Sequence, residues 1–182
     1  MKSRAFLLAA FLLASVSLWS QDNETKENIT YSNISEFGFS AASPKGFAYE
    51  ATTVNGFAVD KKHCFGIGLG MGYILRFYDD DLFALHTPVF LNYRCYFKPE
   101  KAFSPHVNVA LGGMMIKEGG GIYSAVTMGF RAKKFSFSSG FSFMAFENEE
   151  RDWDYSGWDY RYRTIKKWRY PFGITLKCGF TF

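Results

Sequence analysis

The chain has 182 residues and a formal net charge of +4, and Lys2 and Arg4 near its start carry part of that charge. Hydrophobic residues make up 48% of the sequence and aromatic residues 20%, with 21 Phe and 11 Tyr. This composition excludes a disordered chain, and the balance of charge gives no reason to expect nucleic acid as a partner. Phe and Tyr are typical of half-buried strands and of membrane–water interfaces.

The first twenty residues have the pattern of a secretory signal peptide. Lys2 and Arg4 precede an apolar run from Ala5 to Trp19, with cleavage expected after Ser20. That run is shorter than the roughly 20 apolar residues that a membrane-spanning helix needs, and no later run is longer. The predicted organisation is a signal peptide (1–20), a flexible leader (21–28) and one folded domain (29–182).

Large apolar side chains alternate with small residues along most of the remaining chain. The two clearest runs are 65–77, in which apolar residues alternate with glycines, and 172–182 at the end of the sequence. Period-two alternation of this length predicts β-strands. With the weaker runs near 31–40, 47–52, 90–97, 106–112, 122–131 and 135–143 we count eight strands, the smallest size of the bacterial membrane barrels. Gly56 indicates a bulge in the second strand.

The connections between these strands differ in length on the two sides of the predicted sheet. If the first strand rises from the periplasm, the short segments 60–62, 98–105 and 131–134 lie on the periplasmic side. The other side receives 43–45, 78–86, 117–121 and the long segment 147–169. Short periplasmic turns and longer outer loops are typical of outer-membrane barrels.

The face of the strands opposite the large apolar side chains, here the minority face, indicates which face of the barrel wall contacts lipid. It is rich in Gly, Ser, Ala and Thr with a few isolated charges, whereas a soluble exterior would carry many more Lys and Glu. A narrow lumen needs small residues interleaved with a few large ones. The predicted fold class is therefore all-β, an antiparallel up-and-down transmembrane β-barrel with its aromatic face towards lipid. The rival interpretation is a soluble periplasmic barrel that carries a ligand.

The end of the chain resembles the C-terminal signal of outer-membrane barrels, since Phe182 follows Phe180 and Leu176 on one face. Lys177 stands where that signal commonly has glycine. The chain from residue 29 onwards also resembles the small, porin-like outer-membrane β-barrel proteins of Bacteroidetes, on the motifs at 53–56 (TVNG), 65–70 (FGIGLG), 87–92 (TPVFLN) and 103–105 (FSP). The resemblance implies a place in the Gram-negative cell outer membrane, with lipid and the barrel-assembly machinery as partners. It implies no activity.

Charged and amide side chains on the minority face form the first candidate site. These predicted lumen residues are Glu36, Glu50, Asn92, Arg94, Asn108, Arg131 and Lys177. Glu36 and Glu50 are expected to pair with Arg94, Arg131 and Lys177, either in a gated conduit or small binding site or in a plug that fills a lumen too narrow to conduct. We favour the plug.

The long segment 147–169 forms the second candidate site. Its candidate contact residues are Trp153, Tyr155, Trp158, Tyr160, Arg161 and Arg163. Aromatic and arginine side chains are frequent hot spots for partners, so an extracellular partner or ligand is one hypothesis. The alternative is a hairpin that extends above the bilayer, with aromatic side chains at the interface and charges paired across its strands.

No catalytic constellation, cofactor motif or metal site stands out in the sequence, and Asp79 to Asp81 fit a solvated turn better than a calcium loop. The predicted function is a structural or surface-interaction protein of the outer membrane and not an enzyme. Two alternatives remain open at this point: a binding or uptake barrel for a small or lipidic ligand, and a lipid-modifying barrel enzyme.

Strand parity also makes a prediction about the three cysteines. Cys64 falls on the glycine face, whereas Cys95 and Cys178 fall on the apolar face of strands on opposite sides of the barrel. A disulfide requires Cβ atoms that face one another about 3.5–4.5 Å apart. All three are therefore expected to be free thiols.

Overall fold

The computed structural model describes residues 29–43, 46–76, 84–116, 119–154 and 161–182. The predicted signal peptide, the leader, Asp79 to Asp81 and the candidate contact residues Tyr155, Trp158 and Tyr160 lie outside these described residues. Within them, no helix is long and apolar enough to cross a membrane.

The described residues form nine strands. They are β1 (Ile29–Ser43), β2 (Gly46–Val59), β3 (His63–Arg76), β4 (Ala84–Tyr96), β5 (Phe103–Ile116), β6 (Gly119–Ala132), β7 (Phe135–Asp154), β8 (Arg161–Arg169) and β9 (Phe172–Thr181). Each of β1 to β7 pairs antiparallel with the next strand.

The sheet closes on itself through β9. This strand pairs with β7, with Phe135 opposite Phe180, and also with β1, with Ile34 opposite Thr181. β1 to β7 and β9 therefore form a closed, eight-stranded, antiparallel β-barrel, as the sequence predicted. β8 pairs with the far end of β7 and extends the hairpin beyond the wall. Closure leaves every wall strand with two neighbours and removes the sheet edge.

The two faces of the wall follow strand parity, because successive side chains of a strand point to opposite faces. Inside, the alternate residues of each strand are buried, as in the repeating pattern along β9. Outside, the exposed residues are large and apolar, among them Phe37, Ile67, Leu91, Leu111, Val126, Met128, Phe141 and Ile174. The predicted orientation of the aromatic face, away from the lumen, is confirmed.

Glycines on the inner face allow neighbouring strands and side chains to come close. A Cβ at Gly68 would overlap the ring of Phe90, which lies directly across on β4 and covers this glycine. A Cβ at Gly56 would overlap the backbone carbonyl of Phe65. The predicted bulge at Gly56 is wrong: the register runs without interruption from Ser32 through Gly56 to Gly66. Gly56 serves a close backbone approach instead.

One end of the barrel carries tight turns, and we call it the turn end. Asp60, Lys61 and Lys133 adopt positive φ there, with values of 52°, 53° and 56°. The connection predicted at 98–105 is shorter than expected, since β5 already begins at Phe103. Ile29 and Phe182 also lie towards this end, and the opposite end is called the loop end.

The segment 147–169 is a hairpin over most of its length, as the second of the two interpretations expected, and not an unpaired loop. β7 continues to Asp154 and β8 begins at Arg161, in register with Phe146 opposite Arg169 and Asp154 opposite Arg161. We call this two-stranded extension at the loop end the β7–β8 hairpin.

Candidate functional site

The lumen is the candidate site because it collects the buried charges of the barrel. The structure places six of the seven predicted lumen residues on the inner face and buries them: Glu36, Glu50, Asn92, Arg94, Asn108 and Lys177. They come from β1, β2, β4, β5 and β9, and closure of the sheet brings them together.

Glu50, His86, Tyr123 and Lys177 form a first group, here the Lys177 cluster. The Lys177 ammonium lies 2.7 Å from Glu50 Oε1 and donates to the Tyr123 hydroxyl oxygen at 3.1 Å. The Tyr123 hydroxyl in turn donates to Glu50 Oε1 at 2.8 Å. His86 Nε2 lies 3.7 Å from the other carboxylate oxygen of Glu50. The Glu50 carboxylate thus contacts side chains from three other strands, β4, β6 and β9. The cluster lies in the half of the lumen nearer the loop end.

Glu36, Asn92, Arg94 and Asn108 form a second group, here the Arg94 cluster. Arg94 Nη2 lies 2.5 Å from Glu36 Oε1, and both side chains are almost completely buried. Arg94 Nε donates to Asn108 Oδ1 at 3.4 Å, and Asn92 Nδ2 donates to the same oxygen at 2.8 Å. The cluster lies towards the turn end, because Arg94 is the third residue from the end of β4.

Arg131 does not join an ion pair with Glu36 or Glu50 among the described residues, which corrects its predicted role. Its Nη2 donates to the backbone carbonyl of Pro99 in a turn-end connection, at 2.9 Å. Its guanidinium carbon lies 4.3 Å from the centroid of the Tyr96 ring, and that ring packs against His106 at a centroid distance of 5.4 Å. Arg131 therefore packs on Tyr96 through a cation–π contact and is tied to the turn-end connection at Pro99.

Apolar side chains fill the space around the two clusters. The buried apolar set on the inner face is Ile34, Ala48, Val54, Ile74, Phe90, Ala110, Met114, Tyr123, Ala125, Met144 and Phe146. The Phe90 and Tyr123 rings pack against each other at a centroid distance of 5.2 Å. Tyr123 thus belongs both to this packing and to the Lys177 cluster. A second buried apolar cluster consists of Ala58, Cys64 and Tyr96.

Neither family models nor curated protein sequences match the chain. Among solved structures, the chain is similar to the outer membrane protein OprG from Pseudomonas aeruginosa, with a TM-score of 0.51, 9% sequence identity, and coverage of 84% of this chain and 95% of that one. A second similarity is to the N-terminal β-barrel domain of Pseudomonas aeruginosa OprF, with a TM-score of 0.43, 12% identity, and coverage of 86% and 98%.

The fold is that of an outer-membrane β-barrel. At 9% identity the likeness to OprG carries the fold alone, so the site has to be interpreted from this chain's own residues.

The surface candidates lie on the β7–β8 hairpin. The structure describes the backbone at Trp153, Arg161 and Arg163 but not their side chains, so the predicted contact residues remain predictions. At the base of the hairpin, Lys166 Nζ lies 3.3 Å from Glu147 Oε2, and Trp168 stacks on Tyr170 at a centroid distance of 6.3 Å.

The residues of the proposed assembly signal share the outer face. Leu176, Phe180 and Phe182 are exposed there, and the backbone N–H of Phe182 donates to the carbonyl of Asn33 at 2.9 Å. The last residue of the chain is therefore held against the first strand of the wall.

The cysteines are free, as predicted. Cys64 is buried on the inner face opposite Arg94, whereas Cys178 is exposed on the outer face. Cys95 has the outward parity of Leu91 and is nevertheless buried, opposite His63. Among the described residues no group of three or more His, Cys, Asp or Glu side chains is arranged to hold a metal ion.

Proposed function

We propose that this chain is a protein of the Gram-negative outer membrane with a closed lumen and a structural or surface-interaction role. The turn end faces the periplasm, and the β7–β8 hairpin faces the cell exterior. The observation that carries the proposal is the contrast between a wall that is apolar outside and a lumen that is filled by paired charges inside.

The outer surface supports embedding in lipid. Large apolar side chains from all eight wall strands are exposed, including Ile67 at 63%, Leu91 at 68% and Met128 at 67%. A water-soluble protein exposes no apolar band of this extent, whereas a bilayer requires one. Outer-membrane lipid is then the principal partner of the wall, and the barrel-assembly machinery acts on the Leu176–Phe182 end. The narrower kinship with the small barrels of Bacteroidetes rests on the sequence motifs.

The filled lumen supports a role other than conduction. Arg94 and Lys177 are each within hydrogen-bond distance of a buried carboxylate, and neither side chain reaches solvent. Moving either one aside would leave a buried charge without its partner, which is costly in a low-dielectric interior. Buried apolar side chains, among them Ile74, Met114 and Phe146, occupy the same lumen.

We also infer that the chain is not an enzyme. His86 and His106 are the lumen histidines, and they are 0% and 1% exposed. A general base has to come within hydrogen-bond reach of its substrate. The buried His86 ring lies beside Glu50, and the buried His106 ring packs against Tyr96. Function is therefore expected at the surface, with the β7–β8 hairpin as the first place to test for an unidentified extracellular partner or ligand.

Location and exposure can be tested in cells. The chain is expected in the outer-membrane fraction, resistant to carbonate extraction, and with a heat-modifiable mobility on detergent gels. Trypsin added to intact cells should cut at Arg161 or Arg163 and spare Lys61 and Lys133 in the turns. Recovery in the soluble periplasmic fraction would contradict the proposed location. Cleavage in the turns but not in the hairpin would show that the turn end, and not the hairpin, faces the cell exterior.

Conductance tests the closed lumen. The purified native barrel in planar lipid bilayers is expected to give no sustained unitary current. A variant with Glu50→Ala and Lys177→Ala removes the ion pair together and serves as the matched opening variant, with Val126→Ala on the outer face as the control. Sustained currents from the native chain would contradict the plug and favour an uptake role.

A further inference from the structure

The outer face of β1 and β2 differs from the rest of the wall. On the other strands, outward polar residues such as Thr87, Ser124 and Ser139 each lie opposite an apolar residue, and His63 and Tyr93 form one hydrogen-bonded pair at the turn end, at 2.8 Å. β1 and β2 instead place Asn33 opposite Asn55 and Ser35 opposite Thr53. We call these four residues together with Tyr31 the outer polar patch.

The patch lies on the outside, since the residues between its members point inwards. Ile34, Glu36 and Val54 are buried in the lumen, so Asn33, Ser35, Thr53 and Asn55 have the opposite parity. All five residues of the patch are polar and uncharged.

The side chains of the patch bind one another. Asn33 Nδ2 donates to Asn55 Oδ1 at 2.6 Å and to Thr53 Oγ1 at 3.4 Å. The Tyr31 hydroxyl donates to the same Asn55 oxygen at 2.7 Å, and the Ser35 hydroxyl donates to Thr53 Oγ1 at 3.4 Å. Both lone pairs of Asn55 Oδ1 are thus used. Its amide nitrogen has no hydrogen-bond acceptor among the residues that the structure describes.

Apolar side chains surround the patch on every side. Ile67 pairs with Asn55 on one side and Phe180 pairs with Ser35 on the other, while Phe37 and Phe57 follow along the strands. These four neighbours are between 43% and 63% exposed. If the wall lies in lipid, as the proposed function holds, the Asn55 amide faces hydrocarbon with unused donors. Unsatisfied polar groups in hydrocarbon are costly and mark contacts with other protein.

We propose that the outer polar patch is the interface through which two copies of this chain pair side by side in the membrane. The chemistry of the patch fits a second copy: its amides and hydroxyls each donate and accept, so the surface is complementary to itself about a twofold axis along the membrane normal. Phe37, Phe57, Phe180 and Ile67 supply the apolar rim. An anionic lipid headgroup would be met by Lys or Arg, and the patch contains neither.

Crosslinking in the membrane tests the pairing. In a chain whose Cys64, Cys95 and Cys178 are replaced by Ala, the rim variant Ile67→Cys, which leaves the amides of the patch in place, is oxidised in isolated outer membranes. Val126→Cys, which is 55% exposed on β6, is the control. Ile67→Cys is expected to give a dimer of twice the chain's mass and Val126→Cys to stay monomeric. Equal dimer from both positions, or a product of Ile67→Cys with another protein, overturns the proposal.

A second variant tests the same interface without a new thiol. Asn33→Leu with Asn55→Leu keeps the size of the side chains and removes the donors, and it should lower the dimer association constant by about tenfold or more. Energy transfer between differently labelled copies in vesicles measures it, with Val126→Leu as the unchanged control. Equal association of native and double variant overturns the interface. A native chain that is membrane-integrated but monomeric overturns the dimer alone, whereas a chain found in the soluble fraction overturns the proposed location and the dimer with it.

Discussion

The two buried charge clusters perform the same task with different chemistry. In the Lys177 cluster one compact ammonium shares a single carboxylate with a tyrosine hydroxyl, so Glu50 Oε1 accepts from two neighbours at once. In the Arg94 cluster a planar guanidinium divides its donors between Glu36 and Asn108. A lysine contributes one charged centre, whereas an arginine forms several directed hydrogen bonds. The Lys177 cluster should therefore depend more on its ion pair than the Arg94 cluster does.

The largest effect is expected from Lys177→Met, which leaves the Glu50 carboxylate buried without its cation. Breaking a buried pair from one side costs about 3–5 kcal/mol, so the free energy of unfolding should fall by that amount. Urea unfolding of the purified barrel in detergent, followed by tryptophan fluorescence, measures it. Lys61→Met is the matched control, because Lys61 and Glu100 form an exposed pair at 3.7 Å. Adding Glu50→Gln to Lys177→Met should restore most of the loss, and a loss that persists would contradict this account.

Glu36→Gln should cost less, because the glutamine oxygen can still accept from Arg94 Nη2 and Arg94 keeps the hydrogen bond from its Nε to Asn108. We expect a loss of about 3 kcal/mol, the lower end of the range for breaking a buried ion pair. Glu100→Gln makes the same change in an exposed ion pair and should cost less than about 1 kcal/mol. If Glu36→Gln destabilises the barrel more than Lys177→Met, the difference drawn between the clusters is reversed.

Tyr123→Phe separates the hydroxyl of the Lys177 cluster from its ring. Phenylalanine keeps the contact with Phe90 but removes the donor to Glu50, which should lower the free energy of unfolding by about 1–2 kcal/mol. Tyr170→Phe, at a side chain that is 61% exposed, is the matched control. No change in Tyr123→Phe would show that the lysine alone satisfies the carboxylate.

The smallest effect is expected from Arg131→Met, outside both clusters. It removes the cation–π contact with Tyr96 and the hydrogen bond to Pro99, at a cost of about 1 kcal/mol. The sharper readout is local: trypsin should cut the isolated barrel faster at Lys101 once Arg131 no longer holds the turn. Unchanged cleavage at Lys101 would contradict the tie between Arg131 and the turn.

Much of the wall could be predicted from the sequence because strand parity is a local property. Alternation alone assigns Phe65 and Leu91 to the outside and Glu50 and Lys177 to the inside, and the eight-strand count follows from the number of runs. The same reasoning predicted free cysteines. It failed at Gly56, since a glycine that permits a close strand approach has the same sequence signature as one in a bulge.

The contents of the lumen were only partly predictable, because contacts across a barrel depend on its closure. Sequence reasoning grouped two glutamates with three cations but left the partners unassigned, and it missed Tyr123, His86, Tyr96 and His106. The available signal was their parity: Tyr123 lies on the same face as Ala125, and Tyr96 on the same face as Arg94. The β7–β8 hairpin was one of two interpretations of 147–169, and its strands could not be located because Glu147 to Asp154 lacks the apolar alternation that marks a wall strand.

Closure through β1 and β9 also governs how the protein comes to exist. Ile34 meets Thr181, so the contact that seals the wall joins positions at opposite ends of the folded sequence. Contacts of such high sequence separation form late and make folding slow. Until the last strand has been synthesised, β1 and β7 both present open edges that invite aggregation. A chain that lacks its final strand should therefore fail to form any barrel, so that assembly is all-or-none. Until β9 is available, the unfolded chain has to be kept from aggregating by a factor that binds it.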